Sequence, residues 1–162
     1  MKWKAVVSGV LVLAAVIATG LYSLRATQPR PGVALQPDNA AVVQRGAAVY
    51  RAHCAACHGA QLQGQPNWRE RGADGLLPAP PHDASGHTWH HPDEVLFRLT
   101  KHGVGREARI PDYKTAMPVY EGVLGDEDIV AVLSWIKAQW PADVRERQER
   151  INAEHLKARA GS

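Results

Sequence analysis

The chain is poor in the residues that build most metal and redox sites: its 162 residues include only two cysteines, two methionines and one phenylalanine. Two thiols cannot make a structural zinc site, which takes four ligands, and no second cysteine pair or CxxC…HxxxH arrangement supplies the others. A thioredoxin-like redox pair is also disfavoured, because no alternation of strands and helices surrounds the cysteines. Aromatics are 6% of the chain, so the polypeptide core is small. The net charge of +3 is spread along the sequence with no dense basic cluster, which argues against a nucleic-acid partner. With 45% hydrophobic and 22% charged residues, the chain has room for one modest domain plus extensions.

The two cysteines are adjacent in function as well as in sequence. Cys54-Ala55-Ala56-Cys57-His58 is the attachment signature of a c-type haem. Each thiol can add to one vinyl group of the porphyrin, and the histidine beside them then lies under the ring to bind iron. One covalent haem is therefore the expected cofactor, and its apolar body would make up for the scarcity of aromatic side chains.

Ahead of the motif, Ala5 to Leu24 is a run without charge, long enough at about 1.5 Å per residue to cross a bilayer core of about 30 Å. Lys2 and Lys4 precede it and favour a cytoplasmic amino end, although Arg25 and Arg30 weaken the asymmetry. The absence of a clean A-x-A cleavage pattern favours an uncleaved anchor, residues 1–25, over a removed signal peptide. Either one exports the remainder. Residues 26–38, with Pro29, Pro31, Gly32 and Pro37, read as an extended, partly disordered linker. A domain over 39–141 follows. Its first helix is capped by Asp38 or Asn39 and leads into the haem motif.

Two stretches carry a family resemblance. Arg45-Gly46-Ala47-Ala48-Val49-Tyr50 followed by His53 to Gly59 resembles the opening of class I monohaem cytochromes c. Met117-Pro118, Leu124-Gly125-Asp126-Glu127-Asp128-Ile129 and Trp135-Ile136 resemble the close of the same domain, and the match covers about Asp38 to Trp140. The resemblance implies an all-α fold, a few helices wrapped around one covalent haem. It implies a first and a last helix that cross at Gly46 and Tyr50 against Leu133, Trp135 or Ile136. It also implies a single-electron carrier rather than an enzyme, facing the periplasm at a bacterial inner membrane. Redox proteins would be its transient partners, with no small-molecule substrate.

Met1 precedes the apolar run, so a thioether ligand to iron can only be Met117, and Pro118 keeps that residue out of a helix. In the family a Met-Pro loop delivers the sixth ligand. Histidine with methionine raises the potential relative to two histidines. Between the ligands, Pro66 to His91 is rich in proline and glycine and reads as a long loop along one haem edge. The resemblance implies that a carbonyl of Pro78 to Pro81 accepts the other ring proton of His58. Trp68 and Trp89 are candidate donors to haem propionates, with Arg69, Arg71 or Arg98 as charge partners.

The same loop holds the main alternative. His82, His87, His90 and His91, with His102 beyond them, could serve copper, since imidazole suits that metal. A haem enzyme with an open sixth position is the other alternative. His91, followed by Pro92, Asp93 and Glu94, sits at an expected helix cap, and that helix runs from Val95 to His102 and ends at Gly103. Asp126 is the expected cap of a closing helix whose apolar face is Ile129, Leu133, Ile136 and Trp140, stopped by Pro141. Residues 142–162 form a charged helical tail with a thin apolar stripe of Val144, Ile151 and Leu156, expected to fray.

Overall fold

The computed structural model describes residues 32–161. The expected anchor, Ala5 to Leu24, and residues 26–31 of the linker lie outside the described residues. Among the described residues no helix is long and apolar enough to cross a membrane.

Every regular element among the described residues is helical. In chain order they are α1 (Ala40–His53), α2 (Ala55–His58), a 3₁₀ turn (Thr88–His90), α3 (Asp93–His102), α4 (Val104–Glu107), α5 (Asp126–Ala138) and α6 (Ala142–Ala160). Asn39 caps α1, its side chain accepting from the Val42 N–H at 3.4 Å. Asp38 is engaged elsewhere, in a two-oxygen contact with Arg145.

The core lies where α1 crosses α5. A Cβ on Gly46 would lie 2.0 Å from the Ala131 carbonyl oxygen and 2.8 Å from the Trp135 Cβ, so only glycine permits this approach. One turn on, the Tyr50 ring packs on Trp135 with centroids 4.6 Å apart. Ile129, Val132, Leu133 and Ile136 fill the α5 side of the contact, each stabilising the fold by roughly 1.5–3 kcal/mol through burial.

Two caps differ from expectation. Gly125, in extended conformation, takes the N-cap of α5, leaving Asp126 as the first helical residue, where its carboxylate reaches Lys101 at 2.6 Å. Pro92 likewise takes the N-cap of α3 in place of His91, and Asp93 and Glu94 fall in the first turn. Acidic side chains there still suit the positive end of the helix. Helix α3 ends at Gly103, with φ of 86°, as its sequence signals.

The tail is docked rather than frayed. Val144 and Gln148 are buried, and the Gln148 amide donates to Asp93 Oδ1 at 2.6 Å. Asn152 accepts the Asp93 backbone N–H at 2.8 Å. Polar contacts thus do what the thin apolar stripe could not. Asp93 gathers more of the chain: Oδ2 accepts the Leu35 N–H at 2.9 Å, and Oδ1 lies 3.3 Å from the buried Lys137 ammonium. Lys137 also reaches Glu149 at 2.6 Å. The end of the expected linker is therefore fixed: Leu35 belongs to the core and the Gln36 N–H donates to Ser134 Oγ.

Candidate haem-attachment site

Cys54 ends α1 and begins α2, so the motif forms one helical turn directly after a longer helix. Both thiols are free. Cys54 is half-buried and Cys57 exposed. Burial, and then the neighbouring Cys57, push the Cys54 thiol up to about 11. His58 closes the turn, its side chain buried. Its Nδ1 lies 2.8 Å from the Pro80 carbonyl, inside the Pro78 to Pro81 segment where the acceptor was expected. A carbonyl accepts only, so Nδ1 carries the proton and Nε2 keeps its lone pair. Burial pushes the imidazole down from its ordinary value, against the opposing effect of that hydrogen bond. Neutral imidazole is the metal-binding form.

The turn is pinned from three sides. The Tyr50 hydroxyl donates to the Gly59 carbonyl at 2.8 Å, and the Gly64 N–H donates to the His58 carbonyl at 2.8 Å. Leu62, buried with φ of 66°, turns its carbonyl to accept the His82 N–H at 2.8 Å. The left-handed backbone at a leucine is costly, and here it joins the haem turn to the proline loop. His82, two residues after Pro80, then stacks on His58 with ring centroids 3.9 Å apart and planes 23° apart.

Met117 is half-buried in the irregular segment before α5, and its N–H donates to Thr115 Oγ1 at 3.0 Å. The segment is fastened downstream, where the Tyr120 hydroxyl donates to the His53 carbonyl at 2.7 Å and the Glu121 N–H donates to the Lys101 carbonyl. Burial, then Cys54 and Cys57, push the Tyr120 phenol up to about 12, so it remains a donor.

The tryptophans and their candidate partners are distributed along the loop. Trp68 lies against the Arg69 guanidinium, 3.9 Å from its ring centroid, and stacks on His87. The Trp89 indole N–H donates to the Ala84 carbonyl at 3.3 Å, and its ring stacks on His90. Arg71 donates to the Gly75 carbonyl, and Arg98 is paired with Glu94 and Glu107. The loop histidines do not converge. His82 faces His58, His87 faces Trp68 and His91, and His102 Nδ1 lies 3.2 Å from Glu121. Among the described residues no group of three or more metal donors is assembled.

Sequence reasoning missed the contacts of His82, Leu62 and Tyr120. A stack on the buried His58 has no periodicity to announce it, and only the short interval between Pro80 and His82 could have hinted at it.

The site fits a haem. Two free thiols and an imidazole share one turn, with Nδ1 committed to a carbonyl and Nε2 without a protein partner among the described residues. The family described as cytochrome c oxidase, cbb3-type, subunit III matches residues 41–136, more than half of the chain. Neither the curated proteins nor the solved structures provide a match. With its helical fold and its Cys54-Ala55-Ala56-Cys57-His58 turn, the chain belongs to that family: it has a class I c-type cytochrome domain and is a haem electron carrier, not an enzyme.

Proposed function

We propose that this chain carries single electrons on one covalent haem c, held by thioether bonds to Cys54 and Cys57, with His58 and Met117 as its axial ligands, on the periplasmic face of a bacterial inner membrane. The observation that carries the reading is the His58 Nδ1 contact with the Pro80 carbonyl, 2.8 Å, one residue beyond a pair of free thiols. When bound, the haem supplies an iron that alternates between ferric and ferrous states.

The protein's own groups do the rest. Pro80 keeps His58 in the tautomer that offers Nε2, and raises its donor strength. Tyr120 ties the Met117-Pro118 segment to His53, the residue before Cys54, and Glu121 ties it to Lys101 in α3. Trp68, whose indole N–H has no protein partner among the described residues, stays the better donor to a propionate, with Arg69 beside it. Trp89 has its indole N–H on the Ala84 carbonyl and one ring face on His90, so it is the weaker candidate for a propionate. Redox proteins are the partners, met through small transient interfaces of below about 1,200 Å². Residues 1–25 serve in this reading as a membrane tether, which would keep the domain near its partners.

Absorption spectra of the purified ferric and ferrous protein, with carbon monoxide added to the latter, test the ligand set. Wild type should ignore carbon monoxide and show the weak long-wavelength ferric band of sulfur ligation. Met117→Ala should lose that band and bind carbon monoxide. Ready capture by wild type would remove Met117 from the iron.

A further inference from the structure

His82 touches the proposed iron ligand His58 and is itself held through both its ring and its backbone. Its ring lies face to face with that of His58, centroids 3.9 Å and planes 23° apart. Its Nδ1 is 2.8 Å from Thr88 Oγ1, and the Thr88 hydroxyl points on to the Pro81 carbonyl at 3.5 Å, leaving Oγ1 to accept from His82. The backbone is held at both ends: the N–H donates to the Leu62 carbonyl at 2.8 Å and the carbonyl accepts the Trp140 indole N–H at 2.7 Å. Tyr50 meets the ring edge-on at 6.5 Å.

The hydrogen bond from Nδ1 to Pro80 limits rotation of the His58 ring about Cβ–Cγ at one edge and puts nothing against its face. The flat His82 ring pressed against that face narrows the rotation further. The position therefore asks for an aromatic ring, and the bond to Thr88 fixes how that ring is turned.

We propose that His82 is a positioning residue for the haem: stacked on His58 and held by Thr88 and Leu62, it sets the plane of the axial imidazole and so the iron's reduction potential. Outer groups that orient a metal's histidine tune both its basicity and the metal. The proposal rests on His58 being the iron ligand.

The test uses full-length holoprotein as wild type, His82→Leu, His82→Phe and Thr88→Val. The readouts are the electron paramagnetic resonance g-values of the low-spin ferric haem, which follow the ligand plane, and the midpoint potential. His82→Leu should displace both. His82→Phe keeps a flat ring and should hold the g-values near wild type, while Thr88→Val should displace them in the direction of His82→Leu, by less. Wild-type g-values and potential in His82→Leu would overturn the proposal, as would equal displacement in His82→Phe. If His82→Leu takes up no haem, unchanged g-values in Thr88→Val overturn it instead. A wild-type chain without covalent haem would overturn the ligand reading and this role together. Covalent haem with an indifferent His82→Leu overturns this role alone.

Discussion

The hydroxyl of Tyr120 donates to the carbonyl of His53 at 2.7 Å, tying the segment that carries Met117 to the residue just before Cys54. The two ends of the proposed haem ligation are thereby joined through the protein and not only through the iron.

Tyr120→Phe removes that donor and leaves a part-buried carbonyl unpaired. A loss of about 1 kcal/mol is expected in denaturant unfolding of the holoprotein, together with faster carbon monoxide capture by the ferrous form as the Met117 segment loosens. Unchanged capture would separate Tyr120 from the iron.

Gly46→Ala tests the helix crossing. The added methyl would lie 2.0 Å from the Ala131 carbonyl oxygen, a backbone atom that cannot turn aside. Overpacking of this kind costs roughly 1–3 kcal/mol or more, so the thermal midpoint should fall clearly. An unaffected midpoint would mean that α1 and α5 part easily.

Lys137→Met tests the buried polar knot. It leaves the Asp93 carboxylate without its cation, although Gln148 and the Leu35 N–H remain. Removing one member of a buried ion pair costs about 3–5 kcal/mol, and Asp93→Asn in the same chain should recover part of it. Limited proteolysis should also find α6 released in the single variant. Equal stability of single and double variants would deny the coupling.

These cases show what was legible in the sequence and what was not. The haem turn and the Gly103 stop follow from local chemistry, a motif and a residue that tolerates a left-handed backbone, whereas the Gly46 and Tyr50 crossing and the acceptor in the Pro78 to Pro81 segment were implied by the family resemblance and are seen in the structure. Caps shifted by one residue, from Asp126 to Gly125 and from His91 to Pro92, because an extended backbone can begin a helix without a side-chain cap. The docked tail was misread because its apolar stripe is thin. What holds it is a set of side-chain amides and charges around Asp93, contacts between residues such as Asp93 and Gln148 that no local pattern pairs. The stack of His82 on His58 is hidden in the same way.

Acid should weaken the fold before carboxylates begin to titrate. Burial pushes His82, His87 and His91 down in the folded chain, aided by neighbouring imidazoles and, at His87, by Arg69. In the unfolded chain they titrate near about 6.5. The unfolded state thus binds more protons, so this stability is complete above about 6.5 and is lost as pH falls through the lowered folded values. The urea midpoint should be lower at about pH 5.5 than at about pH 7.5. An equal or higher midpoint in acid would mean that the folded chain does not hold these imidazoles below their ordinary value.

Covalent haem on Cys54 and Cys57 can be read from the mass of the denatured full-length chain, made in cells able to attach c-type haem. Wild type should carry the mass of one haem through denaturation, and the Cys54→Ser, Cys57→Ser double variant should carry none. A wild-type chain that loses its haem on denaturation, or a double variant that keeps it, would rule out covalent attachment at these cysteines.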